Sequence, residues 1–531
     1  MPPSPHIDED LRPYGAGVLG VGSGLGGDGT AVPCLCTSRK EAVVDLLQDV
    51  LSFLANNIFN EVAILIGLIA LVGLLLQRKP SEEVVAGTLR ATIGIYILFI
   101  GVEVFVGGLV AFQTIVASAV GLEPPAATAT LADFLTNHGG TVALVITVAF
   151  LVHVLAVRLF NTRYVYLTGH LMFWISVVVT AALVQSFGDL SQWTLVLAGA
   201  LIVAAYWTVQ PLYIAPLMRR VIGSDDWGYG HTSSAAAWIA GKAGPAVGSR
   251  EKHDTENLKL PRQLSFFKDV NVSTALVIGV IMLVAMAFAD ATVLSEQAAG
   301  YNANMNPWIW GIVSALRFAA GIAILLFGVR MFLAEIVPAF KGISEKLIPG
   351  SRPALDCPTV FPFAPTAVMV GFLASTVVFL ILMAVFAGIG WFVLVPPMIM
   401  LFFPGGAAGV FGNALGGWRG AVIGGAVNGL FLAVGQALMW GALSDTAPEL
   451  ATLADPDWYI ITFLIMGVSA PFGGGDPAAM IWVATAIIVV AVAVWVFILK
   501  RKGLERPTES VGEPGSALEE VGGPEEVLHR R

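Results

Sequence analysis

Charged side chains are scarce in this sequence. Its 531 residues include 28 Lys or Arg and 37 Asp or Glu, so charged residues make up 12% of the chain. A soluble globular protein has about 25%. Hydrophobic residues reach 56% and the mean hydropathy is +0.81, which is too apolar for the surface of a soluble domain. Apolar runs of about 20 residues recur, as is typical of membrane-spanning helices. The sequence therefore predicts an all-α polytopic membrane protein in a lipid bilayer.

Several other functional classes are excluded by what the chain lacks. Three cysteines are too few for a disulfide framework, and Cys34 and Cys36 do not have the spacing of a zinc knuckle or a C-x-x-C redox pair. The net charge of −9 and the scattered basic residues argue against nucleic-acid binding. No P-loop, nucleophile–base pair or metal-ligand spacing is recognisable. We therefore predict neither catalysis by the chain nor a metal or other cofactor.

The few Lys and Arg residues are clustered, and the clusters predict the topology because basic residues gather in cytoplasmic loops near the ends of spans. Each stretch between clusters is long enough for two helices of about 20 residues. These stretches are 91–157, 164–218, 269–316, 353–418 and 420–499. With one earlier span at about 57–77, we expect about eleven transmembrane helices, an N-terminus outside and a cytoplasmic C-terminus. Acids such as Asp445 and Asp455 are assigned to the outer loops.

The predicted organisation has three parts. They are a disordered Gly/Pro-rich extension (1–42), the transmembrane domain (43–499) and a disordered cytoplasmic tail (500–531). The transmembrane domain is divided into two repeats (57–218 and 269–443), a central cytoplasmic segment (219–268) and a last span (478–499). Each half contains an odd number of spans, so the second half starts from the opposite side of the membrane. Two inverted repeats are therefore expected, an organisation that favours a transporter.

Two histidines follow glycines at the edges of predicted spans. A Thr-Gly-His motif ends at His170, and a Gly-His motif ends at His231. The small residues from His231 to Ala246 are too few for a span and predict a re-entrant hairpin. Glycine before each histidine lets the backbone approach a ligand closely. Neutral imidazole both donates and accepts hydrogen bonds, which suits a polyol or a sugar acid. Alternatively, both histidines cap helices at the membrane interface.

Three further polar residues stand in the apolar region. Asp356 lies between two prolines, and no charged residue follows it before Arg419. Its carboxylate is interpreted either as an acceptor for ligand hydroxyls or as a helix N-cap. Asn413 follows a Gly-rich stretch and is expected either to stabilise a loop or to contact a ligand. His153 lies in an uncharged apolar run and is interpreted as a core histidine.

Taken together, these segments resemble the ascorbate-specific membrane component (EIIC) of the bacterial phosphoenolpyruvate-dependent phosphotransferase system. The matching stretches include Leu-Thr-Gly-His-Leu-Met-Phe (167–173), Gly-His (230–231), Glu-Asn-Leu-Lys-Leu-Pro (256–261), Gly-Val-Arg-Met-Phe-Leu-Ala-Glu (328–335), Asp-Cys (356–357) and Gly-Val-Phe-Gly-Asn (409–413). They occur in the order of the family over most of residues 45–500.

The resemblance implies a homodimeric sugar permease of the bacterial cytoplasmic membrane. It implies a V-shaped dimerisation scaffold and a mobile core domain that carries the sugar by an elevator-type movement. His170, His231 and Asp356 correspond to the residues that contact the sugar in the family. The phosphoryl group is transferred by other subunits, so the chain itself is not expected to be an enzyme. No fused EIIA or EIIB domain is recognisable, so these partners are expected to be separate proteins.

Two positions depart from the pattern of the family. Thr232 follows the Gly-His histidine, and Trp174 lies four residues after His170, where the family pattern has glutamines. The exchange of two amides for a hydroxyl and an indole reshapes a polar pocket. We therefore treat Thr232, Trp174 and Asn413 as further candidate contacts of L-ascorbate or a related sugar acid or polyol. The alternative is a secondary transporter of a sugar acid that works without phosphorylation.

Overall fold

A computed structural model describes residues 50, 53, 61–120, 129–188, 190–257, 270–472 and 475–503. The predicted disordered extension, and the predicted disordered tail beyond residue 503, lie outside these described residues. The elements of the first half are α1 (Val62–Leu76), α2 (Ser81–Val120), α3 (Leu131–Phe160), β1 (Tyr164–Tyr166), α4 (Gly169–Phe187), α5 (Gln192–Ile222), β2 (Gly228–Tyr229), α6 (Ser234–Val247) and α7 (Arg250–His253).

The second half begins after residue 269. Its elements are α8 (Val270–Met286), α9 (Ala291–Tyr301), α10 (Pro307–Lys346), β3 (Arg352–Leu355), α11 (Pro365–Gly388), α12 (Met398–Ala442), α13 (Leu450–Leu453), α14 (Pro456–Ser469) and α15 (Pro477–Arg501). Short 3₁₀ turns also occur, at Thr255–Asn257, Cys357–Phe363 and Ala470–Phe472.

Eight of the described helices are long and apolar enough to cross a membrane. They are α2, α3, α4, α5, α10, α11, α12 and α15, and shorter apolar helices are formed by α1, α8 and α14. Large apolar side chains remain exposed on their outer faces, such as Val490 and Val494 of α15. In a bilayer these faces contact lipid. The helices confirm a mainly helical polytopic membrane protein, whereas the number of eleven spans stays a prediction.

Helix α12 reverses its direction at Gly417. This residue has φ 64° and ψ −156°, a conformation that glycine adopts without steric cost. A Cβ atom on Gly424 would lie 2.2 Å from the carbonyl oxygen of Ala408, although sixteen residues of straight helix span about 24 Å. The arms on either side of Gly417 therefore form a closely packed hairpin. The reversal lies two residues before Arg419, the basic residue at which the sequence predicts a turn between spans.

The helices form two packed groups. The first group consists of α1, α2, α8, α9 and α10, and α2 and α10 contact each other extensively. Glycines permit this close approach, since a Cβ on Gly101 would lie 2.4 Å from the backbone nitrogen of Leu325. The second group contains α3 to α6, α11, α12, α14 and α15. The expected scaffold and mobile core domains stay a prediction.

A small parallel sheet adds to the predicted all-α fold. Its strand order is β1-β3-β2, with Tyr166 opposite Ala354 and Tyr229 opposite Leu355. His153 of α3 supports β1, because its Nε2 accepts a hydrogen bond of 3.0 Å from the backbone amide of Tyr166. Its Nδ1 contacts the hydroxyl of Thr208 at 2.9 Å, and the side chain is fully buried. His153 is therefore a satisfied core histidine, as predicted.

Candidate functional site

The three sugar-contact candidates lie together at one edge of the sheet. Each of the parallel strands is followed within four residues by one of them: β1 by His170, β2 by His231 and β3 by Asp356. Because the carboxyl ends of parallel strands meet at the same edge, residues that are distant in sequence become neighbours. His170 lies in the first turn of α4, and Asp356 is the N-cap of the 3₁₀ turn that follows β3.

Asp356 lies between the two histidines without a direct bond to either. Its Oδ2 is 3.7 Å from His170 Nε2, and its Oδ1 is 3.6 Å from His231 Nε2. Both distances exceed the usual length of an N–H···O hydrogen bond, about 2.7–3.2 Å. The His170 side chain is 41% exposed and the Asp356 side chain 22%. The His170 ring and the Asp356 carboxylate are thus partly accessible to the hydroxyl groups of a ligand, whereas the His231 side chain is 5% exposed.

The backbone around the site is fixed by its own hydrogen bonds. Thr168 donates its hydroxyl to the carbonyl oxygen of Gly230, and the Gly230 amide donates to the carbonyl of Leu355 at 2.7 Å. Asp356 Oδ1 also accepts the amide of Cys357 at 2.7 Å. Asp356 therefore caps a turn, as the alternative interpretation expected, and its Oδ2 still faces His170. The two roles are compatible.

The contacts of His231 indicate which of its ring nitrogens carries the proton when the imidazole is neutral. The amide of Ser233 donates to Nδ1 at 3.1 Å, so this nitrogen is the acceptor of the ring. In neutral imidazole the proton is then on Nε2, which points at Asp356. His231 is only 4% exposed. It can donate one hydrogen bond to a ligand hydroxyl that in turn donates to the carboxylate of Asp356.

A comparison with protein families identifies the chain. Residues 57–457 match the family described as "PTS system sugar-specific permease component", EIIC-GAT, in which PTS stands for phosphotransferase system. The chain belongs to this family. This membership confirms the resemblance that the motifs indicate. The family is one of transport components in which the phosphoryl transfer is carried out by other subunits.

A curated relative of this permease-family chain is the "Ascorbate-specific PTS system EIIC component" of Mycoplasma pneumoniae. The two are 28% identical over 418 residues, which cover 69% of this chain. The chain spans 63% of the length of the relative.

Thr232 of the permease chain contacts a carboxylate that the sequence analysis assigned to an outer loop. The Thr232 hydroxyl donates to Asp455 Oδ2, and the Asp457 amide donates to the Thr232 carbonyl at 2.8 Å. Asp455 is 4% exposed and lies 3.7 Å from His231 Nδ1. Asp455 is buried because the start of α14 packs against the Gly-His segment; its location on the outer side of the membrane stays a prediction. A contact between Thr232 and substrate stays a prediction.

Trp174 belongs to an aromatic cluster on α4. It lies one turn after His170 along α4, on the same face of the helix. Its ring stacks on that of Trp458, with ring centroids 6.0 Å apart and an angle of 29° between the planes. Phe173 meets it edge-on at 5.2 Å. Sequence reasoning missed Trp458, because only the tertiary packing of α14 against α4 brings it to the site.

Asn413 is placed in the α12 hairpin, where it holds a neighbouring loop. Its Nδ2 donates to Asp254 Oδ1 at 2.9 Å, and its Oδ1 accepts the amide of Thr255 at 3.1 Å. Partial burial raises the pKa of Asp254, but hydrogen bonds from Asn413, Arg250 and the Glu256 amide outweigh it and hold this pKa below its ordinary value. These contacts favour the loop-stabilising alternative; a contact of Asn413 with substrate stays a prediction.

A second polar cluster lies at the opposite, amino edge of the same sheet. The Asp225 carboxylate forms ion pairs with two arginines and accepts a hydrogen bond from a tyrosine. Its carboxylate is 3.2 Å from Arg163 and 3.1 Å from Arg219, and the Tyr164 hydroxyl donates to it at 3.1 Å. Arg352 of β3 donates to the Asp225 carbonyl at 3.0 Å. This cluster connects all three strands by direct bonds.

Proposed function

We propose that this chain is the EIIC subunit of a phosphotransferase system, which binds L-ascorbate or a related sugar acid or polyol and translocates it across the bacterial cytoplasmic membrane. The substrate would bind between His170, His231 and Asp356. The observation that carries the proposal is the convergence of these residues with imidazole–carboxylate separations of 3.6–3.7 Å. Membership in the permease family and the ascorbate-specific relative support the class of substrate.

The site offers the chemistry that a polyhydroxylated substrate requires. A hydroxyl group accepts a hydrogen bond from an imidazole N–H and donates one to a carboxylate oxygen. Asp356 and the two histidines can hold adjacent hydroxyls in this way. Trp174, backed by Trp458, would pack against the apolar face of the sugar. Thr232 and Asn413 are supporting residues in this proposal.

An elevator-type movement is supported by the division of the helices. His170 and His231 belong to the second helix group, through α4 and the segment before α6, whereas the turn after β3 that carries Asp356 packs against both α10 and α12. In the proposal, a substrate held by the two histidines would move with the second group against the first one. In the proposal the first group forms the V-shaped scaffold of a homodimer. Eleven spans in two inverted repeats, an outer N-terminus and a cytoplasmic C-terminus complete the arrangement.

Phosphorylation would follow at the cytoplasmic face. A separate EIIB protein, itself phosphorylated by EIIA, would transfer the phosphoryl group to the sugar held by this chain. The phosphorylated sugar carries additional charge and would be released into the cytoplasm. The chain would contribute binding, orientation and movement, and none of the bond chemistry.

Uptake into right-side-out vesicles tests this function. Vesicles containing the chain are loaded with phosphoenolpyruvate and the soluble phosphotransferase proteins and are given labelled L-ascorbate, D-gluconate or D-sorbitol. We expect one of these compounds to accumulate as its phosphate ester only when phosphoenolpyruvate is present. Vesicles with the Asp356→Asn variant are the control and should not accumulate it. Equal uptake without phosphoenolpyruvate would contradict the proposal.

The alternative is a secondary transporter that works without phosphorylation. It is favoured by the replacement of two expected glutamines by Thr232 and Trp174, and by the buried carboxylate of Asp455 beside the site. Buried acids in membrane transporters often take part in proton transfer. Uptake that does not depend on phosphoenolpyruvate but follows a proton gradient would support this alternative.

A further inference from the structure

Asp455 is a buried carboxylate with too few hydrogen-bond donors for a charged group. Its side chain is 6% exposed. In the described part of the chain, its side-chain donor is the Thr232 hydroxyl. His231 Nδ1, which lies 3.7 Å from Asp455 Oδ2, already accepts the Ser233 amide. His231 Nδ1 and the Asp455 carboxylate are therefore both hydrogen-bond acceptors. Their approach is repulsive unless one of them carries a proton.

Asp457, two residues further on, provides the contrast. It is equally buried at 3% exposure, but it accepts three hydrogen bonds. They come from the Tyr206 hydroxyl at 2.7 Å, from the Ser234 hydroxyl and from the Ala235 amide at 2.9 Å. Donors of this kind stabilise the ionised form of a carboxylate. The two acids are thus solvated differently by the protein, and Asp455 is the one that lacks compensation for a negative charge.

The surroundings of Asp455 supply no permanent positive charge. Among the described residues, its ion-pair partner is His231, which is itself neutral in the arrangement above. The other titratable groups that act on it come from each neighbouring element: Asp356, Asp457, Tyr166, Tyr229, Tyr459 and Cys357, with His170 acting through Asp356. All except the histidines are neutral or negative at neutral pH. Each additional negative charge favours a proton on Asp455.

We propose that Asp455 is a proton-binding residue of this permease, and that substrate binding is accompanied by the uptake of one proton there. The inference rests on the proposed function, because it requires a sugar acid or polyol between His231 and Asp356. The proton comes from solvent and adds to the Asp455 carboxylate; no covalent bond of the substrate is formed or broken.

The direction of the coupling follows from electrostatics. A bound substrate displaces water from Asp356 and His231, which lowers the local dielectric and favours neutral groups. An anionic substrate adds a negative charge next to Asp356 and Asp455, which again favours the protonated acid. Both effects have the same sign. Affinity should therefore fall as the pH rises, by up to about tenfold per pH unit where a full proton is taken up.

Titration calorimetry of the purified full-length protein tests the inference. L-ascorbate, D-gluconate and D-sorbitol are titrated at several pH values between about 5.5 and 8, since a poorly solvated buried carboxyl titrates in this range. Each titration is run in two buffers of different ionisation enthalpy, which counts the protons taken up. At a pH where Asp455 is ionised in the free protein and protonated in the complex, the wild type should take up close to one proton per substrate. Asp455→Asn, which imitates the protonated acid, should bind with no proton uptake and no pH dependence.

Two further variants keep the result interpretable. Asp457→Asn is the matched control and should retain the proton uptake of the wild type. Thr232→Val removes the hydroxyl donor of Asp455, so it should shift the midpoint of proton uptake to higher pH even if Asp455→Asn does not fold. Binding without proton uptake in the wild type, or unchanged uptake in Asp455→Asn, would overturn the inference. Absence of binding by the wild type to every compound would instead contradict the proposed function.

Discussion

The two edges of the small parallel sheet carry polar clusters of opposite character. At the amino edge, Asp225 is in direct contact with Arg163 and Arg219, at 3.2 and 3.1 Å. At the carboxyl edge, Asp356 remains 3.6–3.7 Å from His170 and His231. The same three strands thus hold one cluster whose partners are bonded and one whose partners are kept apart.

The difference separates structural from binding roles. A buried ion pair with direct contacts satisfies its groups within the protein and leaves little to offer a ligand. Side chains that are fixed by backbone bonds but separated by more than a hydrogen-bond length still have donors and acceptors to offer. The comparison predicts that changes at the amino edge alter stability, whereas changes at the carboxyl edge alter binding.

The largest effect is expected from Asp225→Ala at the amino edge. The Arg219 side chain is 9% exposed and that of Arg163 18%, so the variant leaves two largely buried cations without this partner. Loss of one member of a buried pair costs about 3–5 kcal/mol. We expect a large decrease in melting temperature in detergent. Asp290→Ala, which removes the exposed cap of α9, is the control. Equal melting temperatures of the two variants would refute a structural role for Asp225.

A large effect on affinity is expected from His231→Ala at the carboxyl edge. The variant removes the N–H donor next to Asp356, and the substrate loses a hydrogen bond to a buried group. We expect about 100-fold weaker binding, since about 1.4 kcal/mol corresponds to a factor of ten. The melting temperature should fall less than in Asp225→Ala, because the Ser233 amide loses its acceptor at a cost of about 1–3 kcal/mol. His138→Ala, a change near the start of α3, serves as the control. Substrate affinity like that of the wild type would show that His231 does not contact the substrate.

A smaller change, in preference rather than in affinity, is expected from Trp174→Gln. The variant restores the amide of the family pattern and removes the stacking on Trp458. We expect the ratio of the L-ascorbate and D-sorbitol dissociation constants to change by about tenfold, which corresponds to about one good hydrogen bond. Trp495→Gln, which removes stacking on Tyr213, should leave the ratio unchanged. An equal ratio of the two dissociation constants in the wild type and Trp174→Gln would show that Trp174 does not contribute to substrate preference.

The smallest effect is expected from Asn413→Ala in the α12 hairpin. The buried Thr255 amide loses its acceptor, which costs about 1–3 kcal/mol, and Asp254 loses a donor. We expect a modestly lower melting temperature and an unchanged dissociation constant for substrate. A clear loss of affinity at constant melting temperature would assign Asn413 to the binding site instead.

The sequence predicted the features that depend on local chemistry. Scarce charges indicated a membrane protein, and rare polar residues in apolar segments singled out His170, His231 and Asp356. The small sheet was not predictable, because strands of two to four residues are too short to show a hydrophobic period. The burial of Asp455 was not predicted, because its local sequence is that of a loop and its burial depends on contacts with the distant Gly-His segment. Trp458 was missed for the same reason.

The most direct test of the proposed site is a thermal-shift titration of the wild type and Asp356→Asn with L-ascorbate, D-gluconate and D-sorbitol. Asparagine keeps an oxygen that can cap the Cys357 amide, so the fold should be retained while the charge between the two histidines is lost. We predict that at least one compound raises the melting temperature of the wild type and leaves that of the variant unchanged. A compound that stabilises both proteins equally would contradict a sugar site at this edge of the sheet.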